Sequence, residues 1–138
     1  MYYENQKSSS SDHGGMPGSQ CLAGCGSKKS DEKVIKIGVF EPTTGENGGG
    51  GYQEVLGIRY ANEMHPTVNI GGEEYAVRLV EVDNKSDKTE AVNAAQKLVS
   101  EKVSVVLGSY GSGVSIAAGQ IFADAKIPAI GCSCTNHR

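Results

Sequence analysis

Three stretches carry side chains of the types and spacings that do chemistry. The first is Gly108-Ser109-Tyr110-Gly111-Ser112-Gly113, set between the apolar run Val103 to Leu107 and the helically spaced SIAAGQIFADA. A strand that feeds a helix through such a turn aims N–H groups and hydroxyls at one spot on a helix N-terminus. The unpaired N–H groups and the macrodipole there favour a small anion. The second stretch, Cys132-Ser133-Cys134-Thr135-Asn136, supplies further hydroxyls and two thiols. The third is the run Gly48 to Gly51 ahead of a helix, with Asp83 closing the next strand. A dinucleotide-binding enzyme would use both features. The run lacks the third glycine of G-x-G-x-x-G, however, and no Lys-Ser/Thr completes a P-loop, so this reading stands as the alternative.

The four cysteines were weighed for metal and for nucleophilic chemistry. Cys21-x₃-Cys25 and Cys132-x-Cys134, with His137 near one end, match the spacing of zinc sites poorly. No metal and no cofactor is expected. Cys132 and Cys134 lie two apart in an expected strand, facing one side, which disfavours a bond between them. A Cys–His pair would need His137, a residue next to a terminus, where side chains are seldom held. No catalysis is expected.

A net charge of -3 gives no basic footprint, so nucleic acid is not an expected partner. No run of 18 apolar residues is present, so a membrane is reached only through an anchor. Residues 1–33 are polar, rich in Ser and Gly and without periodicity, and are expected to be a disordered tail and tether. Within them Leu22-Ala23-Gly24-Cys25 resembles a bacterial lipobox, with Cys25 as the lipid-bearing residue. Residues 1–20 contain neither the basic start nor the 7–15-residue apolar stretch of a secretory signal. They are not expected to direct export themselves.

The elements that must position these groups follow in residues 34–138. Strands are expected at Val34–Phe40, Tyr75–Asp83, Val103–Leu107 and Ala129–Cys132. The helices expected between them are Tyr52–Met64, a second opened by Asp87 as N-cap with Glu90 three residues on, and a third after the serine turn. Asn69-Ile70-Gly71-Gly72 reads as a turn, and the glycine run as a loop. The order β-α-β-α-β-α-β predicts an α/β fold of three layers: a parallel sheet of four strands with three helices on its two faces. Such sheets bind ligands beyond the carboxyl ends of the strands, where Ser109, Ser112, Ser133 and Thr135 would gather.

From Ile35 to Asn136 the chain resembles the type I periplasmic-binding-protein family, specifically the branched-chain amino-acid (Liv-type) substrate-binding proteins of ABC transporters. The resemblance is carried, in collinear order, by Pro42-Thr43-Thr44-Gly45, Gly57-Ile58-Arg59-Tyr60-Ala61-Asn62-Glu63, Asp83-Asn84-Lys85-Ser86-Asp87, Gly108-Ser109-Tyr110-Gly111-Ser112 and Cys132-Ser133-Cys134-Thr135-Asn136. It implies a solute-binding component that holds an amino acid or small amide by its α-carboxylate and α-ammonium and does no chemistry on it. Ser112 and the neighbouring N–H groups would bind the carboxylate, with Ser109, Tyr110, Gly111 and Gly113 around it. Ser133 would offer a backbone carbonyl and Thr135 a hydroxyl. A plain helix N-cap at Ser112, or a role shared with Ser115, is the structural alternative. The implied partners are the permease and ATPase subunits, and the implied location is extracytoplasmic, on a lipid anchor. A ligand-sensing domain of a receptor or regulator has the same fold. Family members carry a second lobe that closes over the ligand, and this chain corresponds to the N-terminal part of lobe one. Alone it is expected to bind amino acids negligibly.

Overall fold

The computed structural model describes residues 33–136; Cys21, Cys25, the lipobox-like segment and His137 lie outside the described residues. In chain order the elements are β1 (Val34–Glu41), α1 (Gly48–Met64), β2 (Thr67–Ile70), β3 (Glu73–Asp83), α2 (Lys88–Ser100), β4 (Val105–Leu107), α3 (Ser112–Asp124) and β5 (Ala129–Ile130). They form one five-stranded sheet in the order β2-β3-β1-β4-β5. β1 lies parallel to both β3 and β4, and β5 extends the sheet parallel to β4.

The sheet differs from the expected all-parallel four strands by β2, which pairs antiparallel with β3. Gly71 and Gly72 make the two-residue turn, with φ of 62° and 88°, the backbone sign that suits a tight hairpin and that glycine adopts freely. Asn69 Oδ1 accepts the Gly72 N–H at 3.1 Å. All four residues of β2 are exposed; Val68 and Ile70 alternate with Thr67 and Asn69, but the run is only four residues long and ends in the Gly71-Gly72 turn signal. The last strand is also shorter than expected: β5 stops at Ile130, and Cys132 and Cys134 lie in the irregular segment after it rather than on one strand face.

The glycine run is a second correction. Gly48 to Gly51 form the first turn of α1 rather than a loop. Glycine is a poor helix former, by about 1 kcal/mol against alanine, but here it lets the helix approach its neighbours. A Cβ on Gly51 would run into the Pro42 carbonyl, and one on Gly50 would sit 2.6 Å from the Tyr110 ring.

Side chains alternate across β1. Gly38 and Phe40 face α2 and α3, where Phe122 meets Phe40 edge-on at 5.6 Å and Leu98 packs onto the bare Cα of Gly38. Ala91, Ala95, Leu98 and Ala118 are wholly buried in this core, as the stripe on α2 predicts. Asp87 caps α2 by accepting the Thr89 and Glu90 N–H groups, while Glu90 turns to Lys85 instead of completing the capping box. The opposite face carries α1 alone. Between α1 and the sheet runs an apolar groove of about 690 Å³, floored by Ile37, Val77, Leu79 and Leu107. No helix among the described residues is long and apolar enough to cross a membrane.

Candidate functional site

The carboxyl ends of β1, β4 and β5 bring together residues 42–47, 108–111 and 131–136. The serine turn does two different jobs there. Ser109 is fully buried: its hydroxyl oxygen accepts from Asn84 Nδ2 at 3.0 Å and from the Gly111 N–H at 3.3 Å, and its own N–H donates to Ser115 Oγ. Ser109 thus locks the turn to the buried Asn84, whose amide also reaches the Phe40 carbonyl. Gly111, with no side chain to contribute, is the N-cap of α3, and Ser112 is the first helical residue. The N-cap position, the structural alternative for Ser112, is thus taken by a glycine. Ser115 closes back onto the Gly111 carbonyl.

Ser112 instead faces the third segment. Its Oγ accepts the Thr135 N–H at 3.1 Å and the Asn136 N–H at 3.2 Å. With its oxygen fixed by these two amides, the Ser112 hydroxyl keeps its own proton to donate at the positive end of α3. Gly113 and Thr135 are exposed beside it. Lys88, at the start of α2, passes its Cε within reach of Gly113 and adds a cation to the same rim. A cavity of about 120 Å³ lies between Asn47, Ser86, Lys88 and the start of α3. Sequence reasoning missed Lys88; its position directly after the N-cap Asp87 was the available signal, since α2 and α3 pack side by side.

Tyr110 spreads its ring over Gly50 at the mouth of the rim, while its N–H donates to Glu41 Oε2 at 2.7 Å. Ser133 sits apart from Ser112, its hydroxyl hydrogen-bonded to Glu54 of α1. The Glu41, Glu54 and Cys132 ligand atoms all lie within 4.8 Å of one another. Burial, reinforced by Glu54, pushes the Glu41 carboxyl up to about 8 despite the Tyr110 N–H. Burial and the two carboxylates push the Cys132 thiol up to about 11. A thiol that keeps its proton is a poor nucleophile, so Cys132 is not an activated cysteine.

The dinucleotide alternative loses both its features. The glycines serve helix packing, and Asp83 is occupied by the Thr43, Thr44 and Lys85 N–H groups and the Thr44 hydroxyl. Desolvation raises the Asp83 carboxyl, but the Thr44 hydroxyl and those N–H groups outweigh it and hold it down at about 2.

The family model described as periplasmic binding protein matches residues 34–137. This chain belongs to the periplasmic binding protein family. Members of this family bind solutes outside the cytoplasm and are not enzymes. Its relatives include Leu/Ile/Val-binding protein homolog 1 of Brucella abortus, 32% identical over 103 residues, which cover 74% of this chain and 27% of that protein. Among solved structures, the leucine-binding protein LivK of Thermotoga maritima is 38% identical with a TM-score of 0.69, over 75% of this chain and 29% of its own. The branched-chain amino-acid transporter substrate-binding protein LivJ of Streptococcus pneumoniae, in complex with isoleucine, is 31% identical with a TM-score of 0.67, over 75% and 30%. The periplasmic binding protein chain described here thus spans under a third of the length of the relatives it matches.

Proposed function

We propose that this chain supplies one wall of the amino-acid site of an ABC-transporter solute-binding protein. The ligand is an amino acid of the branched-chain type or a small amide, and the permease and ATPase are the downstream partners. The observation that carries the reading is the meeting of Ser112 with the Thr135 and Asn136 N–H groups at the N-terminus of α3. A carboxylate would accept the proton of the Ser112 hydroxyl, which the two amides orient, with Lys88 adding charge from the side. The ligand's ammonium would turn towards the Ser133 carbonyl and the Thr135 hydroxyl, with Tyr110 beside it. Leucine-, isoleucine- and valine-binding relatives support this class of ligand. A lipid on Cys25 would hold the protein at the outer membrane surface of the cell; incorporation of labelled palmitate that survives Cys25→Ser would overturn that anchor.

The test is calorimetry with leucine, isoleucine, valine and their amides. The 138-residue chain alone is expected to bind none of them measurably, because one wall offers half the contacts and no closure. A chimera in which residues 34–136 replace the matching part of the Streptococcus pneumoniae LivJ is expected to bind. In it, Ser112→Ala should weaken binding by about 10- to 100-fold, the loss of a hydrogen bond to a charged group. Unchanged affinity in that variant would sink the assignment.

A further inference from the structure

We propose that Glu41, Glu54 and Cys132 form a site for a single divalent ion of the zinc type, beneath the rim and at the closed end of the α1 groove. Spacing of cysteines and histidines alone gave no such expectation, because two of the three groups are carboxylates from β1 and α1. Each residue offers one ligand atom, and all three atoms lie within 4.8 Å of one another. Three points that close leave a centre at most about 2.8 Å from each, and Zn–O and Zn–S bonds of about 2.0–2.3 Å need only small rotations of the side chains.

A cluster of acids would mean little if its oxygens were solvated or paired. Glu41 is wholly buried, and Glu41 Oε1 and Glu54 Oε2 are buried atoms with no hydrogen-bond partner. No ion pair among the described residues reaches either carboxylate. Buried acidic oxygens are costly as anions unless they share a proton or a cation completes them. The other oxygen of each is already held, Glu41 Oε2 by the Tyr110 N–H and Glu54 Oε1 by the Ser133 hydroxyl. Outer contacts of this kind orient a ligand and leave one oxygen for the metal. Gly108 keeps the space open, since a Cβ there would come 2.6 Å from Glu41 Oε1.

The donor set chooses among cations. A thiolate beside two carboxylates suits zinc-like ions and is wrong for magnesium or calcium, which take oxygen alone. An organic ammonium would gain nothing from the thiol. Cys132 is exposed and gives the ion its entrance and a place for water as a fourth ligand. A thiol and carboxyls bind a metal in their deprotonated forms, so protons they carry leave to solvent as the ion binds and affinity rises with pH.

The experiment titrates Co²⁺ into the reduced 138-residue chain and follows the sulfur-to-cobalt charge-transfer absorption, then displaces it with Zn²⁺. One ion per chain is expected, with protons released on binding when calorimetry is repeated in buffers of different ionisation enthalpy. Cys132→Ser should abolish the band, whereas Cys134→Ser and the double change Cys21→Ser/Cys25→Ser should keep it. Glu41→Gln and Glu54→Gln should each weaken binding at least tenfold while circular dichroism shows an intact fold. A band that survives Cys132→Ser, unchanged affinity in both glutamine variants, or no binding at millimolar Co²⁺ would each overturn the proposal.

Discussion

The two faces of the sheet are covered by helices from the same chain, yet they are finished to different degrees. On the α2/α3 face, small residues let the helices close on each other and on Gly38, and Phe40, Leu98 and Phe122 fill the interior. On the other face the residues that α1 buries are Gly48, Gly51 and Val55 at its start, the two glycines against Thr43 and Pro42. Further along, Gly57, Ile58 and Ala61 line the groove over the sheet, and Leu56, Tyr60 and Met64 are exposed. The first face is a core complete in itself. The second has apolar walls and a polar end, and it places its buried acid where the binding rim begins.

The largest expected contrast is between large-to-small changes on the two faces. Phe122→Ala should cost about 3–5 kcal/mol in urea unfolding, the range for an aromatic lost from a close-packed core. Leu56→Ala on α1, a residue 40% exposed, should cost less than about 1 kcal/mol. Equal losses would mean that the α1 face is packed as tightly as the other.

Next in size is pH dependence. An acid whose folded value is raised keeps its proton after the unfolded chain has lost it. Stability should therefore fall as pH rises from about 4.5 to about 8, by at most about 1.4 kcal/mol per pH unit. Glu54 and Cys132 face the same carboxyl. Glu41→Gln should flatten this slope in metal-free thermal melts; a slope that persists would assign it elsewhere.

The helix start can be dissected with two neighbouring glycines. Gly51→Ala should lose about 1–3 kcal/mol by overpacking against Pro42. Gly49→Ala, which meets nothing within 4 Å, should gain about 0.5–1 kcal/mol from helix propensity. Opposite signs in denaturant midpoints would separate packing from propensity. The smallest effect belongs to the Arg59–Glu81 pair, bidentate at 2.6 and 2.8 Å but largely solvated. Arg59→Ala should cost under about 1 kcal/mol, and less in high salt.

Legibility in the sequence followed locality. The Asp87 cap, the stripe Ala91-Ala95-Leu98, and the Val105–Leu107 strand with its serine turn are set by neighbouring residues, and each was readable. β2 was not, because the alternation Thr67-Val68-Asn69-Ile70 is too short to stand out beside the turn residues Asn69, Gly71 and Gly72. The glycine run was misread because its reason lies in Pro42 and Tyr110 rather than within itself. That the serine turn and the segment after β5 share one rim was legible from topology alone, although of the four hydroxyls expected there Ser133 turns to Glu54. What topology left open was that Ser109 turns inward and that Glu41 and Glu54 meet Cys132; a lone acid ending an apolar strand was the only hint.

β1 is made before either of its sheet neighbours. Ile37 pairs with Leu79, 42 residues later, and with Val105, 68 residues later. As the chain grows, its middle strand waits with both edges bare while the β2–β3 hairpin, built from adjacent residues, forms on its own timescale. Loops of that length close late and slow the search. The expected order starts at one margin, with the local hairpin, passes to β1 once β4 has been made, and ends at the other margin with β5.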